Sequence, residues 1–463
     1  MAIQGGPIYD DPYILWRYGE NLATGHGWVF NAGTVADNAV TSPLMVAVLA
    51  GGRFLGLHMT LVAAVVFFLT TWAAAFFTSL ALESLGHRMA GFLAAALVAV
   101  SPALTALWGM ESSLFLALLA GALAAAAARR PAWVTGFFIG LLALARPDGL
   151  VVGGVLVAVF YVADSTRRLS LRSWCRLAAA AVAPVVAWIV IAWWSFGTVV
   201  PSTLAAKRAQ GASRFWPTYL SSEAWLSVRT LLGGGSRVGG LVVVLLIVAA
   251  CLGLVAGVLR AAAWQAVVTL TLSTVVISVG YGLIFRIASY PWYYALAIYC
   301  GLVLAGLGIE FPFTSVTLSR PVRWACVAAL GITIVVCNLS DVQSQPSGAR
   351  QRYEVVGTWL ERNAPRNATV AASEVGKLGW YSGHEMVDYL GLLDRRADRH
   401  IRHDDFEWWA SYYQPDYWVT DLGYIDAKFA ASRCVEDHFE VVYRAPPLVV
   451  FRRASAVPAS SHC

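Results

Sequence analysis

Two adjacent aspartates near the amino terminus, Asp10 and Asp11, are the best candidates in this sequence for acid–base chemistry. Pro12 follows them, and proline favours the first turn of a helix, so a helix over 12–22 with Asp11 as its N-cap is expected. A capping carboxylate is engaged with backbone N–H groups, whereas Asp10 has no such structural role. Asp10 is therefore the better candidate for a general base, given a substrate hydroxyl within hydrogen-bond reach.

Further ionisable residues lie in or beside short loops between apolar segments. They are the acids Glu111 and Asp148 and the bases Arg146, Lys207 and Arg286. Charges near hydrocarbon are costly, so each is a functional candidate, with snorkelling helix ends as the structural alternative for the two acids. A cation at the level of the lipid headgroups suits a phosphate anion. The bases therefore predict a phosphate site, with Lys207 and Arg286 ahead of Arg146.

Two further features near these residues allow more than one interpretation. Four aromatic residues follow Arg286, namely Tyr290, Trp292, Tyr293 and Tyr294. They favour an interfacial belt over a sugar-binding platform. A divalent cation could bridge Asp11, Glu111 or Asp148 to a phosphate, but no ligand spacing demonstrates one.

The elements that must position these residues are strongly apolar. Of the 463 residues, 58% are hydrophobic and 13% are charged, and the mean hydropathy is +0.63. Soluble domains have about 45–50% apolar and about 25% charged residues. These figures exclude an ordinary soluble enzyme, a disordered scaffold and a disulfide-stapled miniprotein. The seven cysteines show no metal-binding or disulfide pattern. The composition predicts a helical polytopic membrane protein.

About ten transmembrane helices are expected from the apolar segments. The segments are 59–82, 89–107, 112–128, 132–145, 150–163, 177–196, 239–258, 264–285, 293–309 and 324–338. Segments 132–145 and 150–163 are short, so the turn between them is expected below the membrane surface, facing a protein-lined cavity. The apolar stretch 42–57 contains Gly51, Gly52 and Arg53 and is predicted to be a helix in the outer interface.

Three regions follow from the distribution of charge. Residues 1–58 form an outer loop with the aspartate pair, 59–340 the transmembrane domain, and 341–463 a soluble domain that holds 31 of the 60 charged residues. An amphipathic helix over 352–362 precedes several short apolar strands, which predicts a small α/β or α+β domain. The strands are expected at 368–372, 386–390, 417–420, 439–443 and 448–451.

The arginines of the short loops predict the orientation. Ten lie in one set of loops, which marks the cytoplasmic side of a cytoplasmic (inner) membrane. Residues 1–40, the loop 197–238 and the soluble domain then lie together on the extracytoplasmic side. Residues 1–40 resemble neither a signal peptide nor a span. Either this nearly base-free segment crosses unaided or a preceding transmembrane helix is missing from the chain, and the missing helix is favoured.

The sequence resembles the GT-C superfamily of polytopic membrane glycosyltransferases. The run YDDPYILWRYGENLATGHGWVFNAG over 9–33, followed by TSPL, is similar to the first outer loop of the bacterial branch that contains the actinobacterial terminal arabinofuranosyltransferases. Supporting motifs follow in order along nearly the whole chain. They are GMES at 109–112, RPDG at 146–149, PSTLAAK at 201–207, EVG at 374–376, YSG at 381–383 and DYLGLLD at 388–394.

The resemblance implies an enzyme that uses a polyprenyl-phosphate sugar on the outer face of the membrane, usually with inversion. In the family the first acid of the pair serves as the base, which falls on Asp10. Pro12 departs from the small or aromatic residue expected after the pair, and the family's first transmembrane helix is absent. No motif selects the arabinose branch, so the donor sugar stays open.

The predicted function is therefore transfer of a sugar from a polyprenyl phosphate to a cell-envelope glycan or glycolipid, with no role for nucleic acid. Lys207 and Arg286, with Arg146 as a third candidate, would hold the leaving phosphate. The soluble domain is expected to position the acceptor, with Glu374 and Asp388 shaping that domain. The alternatives are a transporter or flippase of a lipid-linked glycan, which should show paired broken helices, and an inactive scaffold, which would leave Asp10 unexplained.

Overall fold

The computed structural model of the protein describes residues 9–36, 38–166, 168–213, 215–229, 237–259, 263–315, 348–405, 407–421 and 437–454. Helices fill the chain up to Ser315. They are α1 (Asp11–Ala23), α2 (Pro43–Phe54), α3 (Met59–Ser84), α4 (Arg88–Val100), α5 (Pro102–Thr105), α6 (Ser112–Ala127), α7 (Ala132–Ala145), α8 (Gly149–Val157), α9 (Leu171–Phe196), α10 (Ser202–Ala212), α11 (Ser222–Arg229), α12 (Arg237–Leu259), α13 (Trp264–Val279) and α14 (Ala295–Ser315). π-Helical turns extend α8 to Val162 and α13 to Ile284, and a 3₁₀ turn over Pro291–Tyr294 precedes α14.

Five of the described helices are long and apolar enough to cross a membrane. They are Met59–Ser84, Leu171–Phe196, Gly240–Gly257, Trp264–Ile284 and Pro291–Phe311. Shorter apolar helices, among them α4, α6, α7 and α8, lie beside them. Nine of the ten predicted apolar segments coincide with helices, and the tenth, 324–338, lies outside the described residues. The predicted fold class, a helical polytopic membrane protein with a small C-terminal α/β domain, is confirmed.

Small residues allow the long helices to approach closely. Helix α12 packs along α14, and Gly253 and Gly308 lie where the two backbones meet. A Cβ atom on Gly253 would lie 1.9 Å from the carbonyl oxygen of Leu304, and one on Gly308 would lie 1.8 Å from that of Ala249. Such close approach is typical of helix packing in membranes, where dispersion rather than hydrophobic burial drives association.

The first helix begins one residue earlier than predicted. Helix α1 starts at Asp11, so Asp10 rather than Asp11 occupies the N-cap position, and the Asp10 side chain does not cap this helix. The prediction that Asp11 is the N-cap is therefore wrong. Pro12 still occupies the first turn, as its fixed φ and missing N–H favour. The stretch predicted as an interfacial helix contains α2, at whose end Phe54 and Leu55 are 80% and 77% exposed.

Within the described residues, the C-terminal domain combines four helices with a mixed five-stranded sheet. The helices are α15 (Gly348–Asn363), α16 (Val375–Ser382), α17 (Ala397–Arg402) and α18 (Trp408–Tyr412), and the strands are β1 (Thr369–Ala372), β2 (Glu385–Asp388), β3 (Tyr417–Asp421), β4 (Phe439–Ala445) and β5 (Leu448–Arg453). The strand order is β2-β1-β3-β5-β4. Strand β1 pairs in parallel with β2 and β3, whereas β5 is antiparallel to β3 and β4. All five predicted strands and the predicted helix are present.

The N-terminal segment and the C-terminal domain share one hydrophobic core. Tyr13 and Trp16 of α1 are buried in the same cluster as Leu378 of α16 and Val450 of β5. Residues of α2 and α3 complete this cluster, so α1 lies between the helical body and the sheet domain. The predicted boundary at 340/341 lies outside the described residues and stays a prediction.

Candidate active site

The Asp10 carboxylate is bound by the backbone of the C-terminal domain. Its Oδ2 accepts a hydrogen bond from Gly376 N at 2.9 Å, and its Oδ1 accepts one from Lys377 N at 2.7 Å. Both donors are in the first turn of α16, where helical N–H groups lack intrahelical partners and the helix dipole favours an anion. Asp10 therefore supplies the capping interaction of a helix far away in the sequence.

The contact around Asp10 is tight and largely closed to solvent. Asp10 is 6% exposed, and a Cβ atom at position 376 would lie 2.4 Å from the Asp10 carbonyl oxygen, so glycine is required there. Burial raises the pKa of Asp10 well above its usual range, and the Glu374 carboxylate adds to the rise. The charge of Lys377 and the two backbone N–H groups oppose it.

Two further side chains of the N-terminal segment fix it to the sheet domain. Arg17 donates to the carbonyl oxygen of His384 at 2.7 Å. Asn31 extends the edge strand β2, because its Nδ2 donates to the carbonyl of Met386 at 2.9 Å and its Oδ1 accepts from the backbone N–H of Met386 at 3.0 Å. This pairing joins the N-terminal segment to the edge of the sheet.

Asp11 has a different environment from its neighbour. It is only partly buried, and its carboxylate accepts a hydrogen bond from its own backbone N–H rather than from a distant helix. Burial raises the pKa of Asp11, and the positive charge of Lys207 opposes that rise. Asp11 also lies within electrostatic range of Glu111. Of the two aspartates, Asp11 is the more exposed.

Lys207 of α10 is a buried cation held by aromatic rings. It is 4% exposed, and its Nζ lies 3.5 Å from the ring centroid of Tyr290 and 5.5 Å from that of Trp292. Within the described ranges, no carboxylate approaches its ammonium group to salt-bridge distance. Burial lowers the pKa of Lys207, and the Asp11 carboxylate is the strongest opposing charge. This ammonium group is placed to bind an anion.

Arg146, in contrast, is neutralised by two acids. Its Nη1 lies 3.1 Å from Glu111 Oε1, and its Nε lies 3.2 Å from Asp148 Oδ1. The hydroxyl of Tyr281 donates to Asp148 at 3.0 Å, and the guanidinium lies 5.6 Å from the ring centroid of Tyr293. With two carboxylates and one guanidinium, the group carries a formal charge of −1 and is unsuited to holding a phosphate alone.

The same pairing bears on metal binding. The carboxylates of Glu111 and Asp148 accept hydrogen bonds from Arg146. Neither is therefore free to bind a metal ion together with Asp11. In the part of the chain that the structure describes, no three His, Cys, Asp or Glu residues could together hold a metal ion. The bridging cation left open by the sequence has no ligand set among these residues, so no reaction step is derived through one.

Arg286 does not join the other predicted residues. It is exposed, has a positive φ of 48°, and none of the described contacts links its side chain to Lys207 or Arg146. Its carbonyl oxygen lies against α10, where a Cβ atom on Gly211 would be 2.0 Å away. The structure thus brings together the following predicted site residues: Asp10, Asp11, Glu111, Arg146, Asp148 and Lys207.

Three residues of the cluster have roles that the sequence did not indicate. Glu374 and Lys377 form an ion pair at 3.2 Å beside Asp10, and Tyr281 binds Asp148. Glu374 belongs to a motif singled out by resemblance, but nothing in the motif shows that it reaches the aspartate pair. Trp292, expected in an interfacial belt, is 6% exposed and faces Lys207, so that expectation is wrong for this residue.

The fold is similar to those of several membrane glycosyltransferases of known structure. ArnT from Cupriavidus metallidurans in the apo state aligns with a TM-score of 0.60 at 13% identity, covering 96% of this chain and 93% of that chain. ArnT bound to undecaprenyl phosphate aligns with a TM-score of 0.57 at 14% identity, covering 97% and 94%. The arabinofuranosyltransferase AftD from Mycobacteria aligns at 0.51 and 14% identity, covering 91% of this chain and 36% of AftD. This chain thus spans about a third of AftD.

Sequence comparison matches the C-terminal part of the chain to one family model. A family model described as a domain of unknown function (DUF8728) matches residues 340–455, which is the C-terminal domain. No curated protein matches the chain. The structural likeness, at 13–14% identity, establishes the fold: the chain has the GT-C fold that its first outer loop resembles.

Proposed function

We propose that the protein is a glycosyltransferase that moves a sugar from a polyprenyl-phosphate donor to a hydroxyl group of a cell-envelope glycan or glycolipid. The reaction takes place at the extracytoplasmic face of the cytoplasmic membrane. The observation that carries this proposal is the proximity of the Asp11 carboxylate to Lys207. Lys207 is a buried ammonium group that contacts aromatic rings rather than a described carboxylate. The GT-C fold supports it, because one solved protein with this fold binds undecaprenyl phosphate.

The proposed reaction is a single displacement with inversion at the anomeric carbon. The acceptor oxygen forms a bond to that carbon while a carboxylate takes the proton of the acceptor hydroxyl. The bond between the anomeric carbon and the phosphate oxygen breaks, and its electron pair leaves with the polyprenyl phosphate. Base assistance contributes about 10²–10⁴-fold in rate. Electrostatic stabilisation of the departing phosphate lowers the barrier further, and in many enzymes this effect exceeds that of the base.

Asp11 is the proposed base. A general base must come within hydrogen-bond reach of the proton that it removes. Both carboxylate oxygens of Asp10 are occupied by backbone N–H groups of α16, and the residue is buried. Asp10 was preferred from the sequence because Asp11 was expected to be engaged with backbone N–H groups. In the structure Asp10 is the residue bound by the N–H groups of α16, so Asp11 becomes the better candidate. Asp10 is proposed to position Asp11 by tying the start of α1 to α16.

Lys207 is the proposed partner of the leaving phosphate. Lys207 forms no close ion pair with a described residue, whereas Arg146 forms ion pairs with both Glu111 and Asp148. A charge-assisted hydrogen bond in a site of low dielectric is stronger than a neutral one. Arg286 is proposed to contribute little, because its side chain is exposed and outside the described cluster.

The experiment that tests the function is donor turnover. Purified protein in lipid nanodiscs is incubated with a panel of polyprenyl-phosphate sugars, and the release of polyprenyl phosphate is followed with and without oligosaccharide acceptors. Release from at least one donor, stimulated by an acceptor, is expected. If every donor is bound and none is cleaved, the protein is not a transferase of this class, and a transporter of lipid-linked glycans becomes the better account.

A further inference from the structure

Glu374 carries a carboxylate that its own domain does not use for capping. It occupies the N-cap position of α16, yet its side chain makes no capping hydrogen bond. Short polar side chains such as Asp, Asn or Ser ordinarily bind the N–H groups of the first helical turn from this position, and glutamate is not among them. Here Asp10 has taken two of those groups, at positions 376 and 377. The Glu374 carboxylate is thereby directed elsewhere.

The side chain of Glu374 lies beside the candidate reaction centre. It accepts one hydrogen bond from Lys377 Nζ at 3.2 Å and is 33% exposed, whereas the Lys377 side chain is 7% exposed. The hydrogen bonds from Gly376 N and Lys377 N to Asp10 place Glu374 next to the aspartate pair, and its charge acts on both Asp11 and Lys207. Because the tie to Asp10 fixes α16, the carboxylate is held in this position by the fold rather than by a flexible loop.

We propose that Glu374 is an acceptor-binding residue, so that the C-terminal domain contributes directly to the active site. This inference rests on the proposed function. Asp11 accepts the proton of the reacting hydroxyl, and Glu374 accepts a hydrogen bond from a neighbouring hydroxyl of the same acceptor. Two hydrogen bonds from one sugar fix which hydroxyl faces the anomeric carbon. Such orientation lowers the barrier, because the rotational and translational entropy is lost on binding rather than in the transition state.

The carboxylates at this junction suit hydroxyl groups. Asp11 and Glu374 present acceptor oxygens to the substrate, and the ammonium groups of Lys377 and Lys207 balance their charge. A sugar with at least two free hydroxyls suits them, because each hydroxyl can donate to a carboxylate. The inferred acceptor is thus a glycan with two neighbouring free hydroxyls.

The test is Glu374→Gln, which keeps the shape of the side chain and removes its charge. Using a donor found active with the wild type, release of polyprenyl phosphate is measured with water as the only acceptor and with arabinan, galactan and mannan oligosaccharides. We expect the acceptor KM to rise about tenfold, because hydrogen bonds to a charged group contribute about 1.5–3 kcal/mol. Affinity for undecaprenyl phosphate should stay within about twofold, which also shows that the variant is folded.

A pH profile separates direct participation from a structural role. The charge of Glu374 raises the pKa of Asp11, so removing it should lower that pKa. A base acts only when deprotonated, and the acidic limb of kcat/KM should therefore move to lower pH in Glu374→Gln. Glu361→Gln, at an exposed position of α15 in the same domain, is the matched control and should change neither quantity.

The outcomes separate the two proposals. An unchanged acceptor KM together with an unmoved acidic limb, in a variant that still binds undecaprenyl phosphate, would overturn the role of Glu374 and leave the transferase intact. Equal losses of donor and acceptor affinity would do the same, because they indicate a structural role. If the wild type releases no polyprenyl phosphate from any donor, the proposed function fails, and the inference about Glu374 fails with it.

Discussion

The carboxylate of Asp10 accepts a hydrogen bond from the backbone N–H of Lys377 at 2.7 Å, across 367 positions of the chain. This bond joins the residue before α1 to the first turn of α16, and a shared hydrophobic core surrounds the junction. The N-terminal segment and the C-terminal domain therefore meet at the aspartate pair. A change in either one is expected to alter the geometry of Asp11 and Glu374.

Gly376→Ala tests this junction from the side of the C-terminal domain. The added Cβ atom would lie 2.4 Å from the Asp10 carbonyl oxygen, so the loop or α16 must shift. Forcing extra atoms into a close-packed contact costs about 1–3 kcal/mol. We expect a lower thermal unfolding temperature, faster proteolysis between the helical body and the C-terminal domain, and loss of turnover.

Gly154→Ala is the matched control, because a Cβ atom at that helical position meets nothing within 4 Å. It should be neutral or slightly stabilising, since alanine is favoured over glycine in helices by about 1 kcal/mol. A Gly376→Ala protein with wild-type stability and turnover would show that the Asp10 contact is not a structural requirement.

Lys207→Met should weaken donor binding without unfolding the protein. Methionine fills the space against the Tyr290 ring and removes the ammonium group that is proposed to face the phosphate. We expect the affinity for undecaprenyl phosphate to fall about 10–100-fold, the range for losing a hydrogen bond to a charged group, as measured by titration in nanodiscs. Arg208→Met, at the exposed neighbouring position, should change it less than twofold. Similar affinities for the two variants would remove Lys207 from the phosphate site.

Arg146→Met should act on stability before it acts on chemistry. The substitution leaves Glu111 and Asp148 buried without their common partner. Breaking a buried ion pair from one side costs about 3–5 kcal/mol, so the variant should unfold at a clearly lower temperature or denaturant concentration. Arg286→Met, at an exposed site, should stay within about 0.5 kcal/mol of the wild type. Equal stability of both variants would contradict the ion-pair account of Arg146.

The proposed orientation is tested by single cysteines in a cysteine-free protein. A cysteine at position 405, in the C-terminal domain, should react with an impermeant maleimide on intact cells. A cysteine at position 168, in an arginine-rich loop, should react only after the membrane is opened, because such loops remain cytoplasmic. Labelling of position 168 but not of position 405 on intact cells would invert the topology and place the aspartates on the cytoplasmic side.

The architecture was largely predictable because its patterns are local. Apolar segments of sufficient length predict helices in a membrane protein, and the short alternating runs after residue 341 predict strands. The strand at 448–451, for example, is found as Leu448–Arg453. The sheet order was not predictable, since β5 lies between β3 and β4 through long-range pairing. Nor did local patterns indicate that α1 packs against α16.

The sequence indicated which residues lie near one another in the candidate site better than it indicated what each residue does. The proximity of Lys207, Arg146 and the aspartates was expected because the charge distribution assigned them to loops on one side of the membrane. The choice between Asp10 and Asp11 depended on a local rule, that an aspartate before proline caps the following helix. In the structure Asp10 occupies the N-cap position, and its carboxylate binds the N–H groups of the distant helix α16. Glu374 was expected only to shape its domain. Sequence spacing cannot reveal that Asp10 binds the N–H groups at the start of α16, beside Glu374.

The most direct test of the central claim compares turnover in Asp11→Asn and Asp10→Asn. Asp11→Asn removes the proposed proton acceptor and should lower kcat by about 10²-fold or more, with donor affinity unchanged. Asp10→Asn keeps one acceptor for the α16 amides, so it should lower stability and retain measurable turnover at low temperature. The account predicts an inactive but folded Asp11→Asn protein. A fully active Asp11→Asn protein beside an inactive, stably folded Asp10→Asn protein would contradict it, because the base would then be the residue that α16 holds.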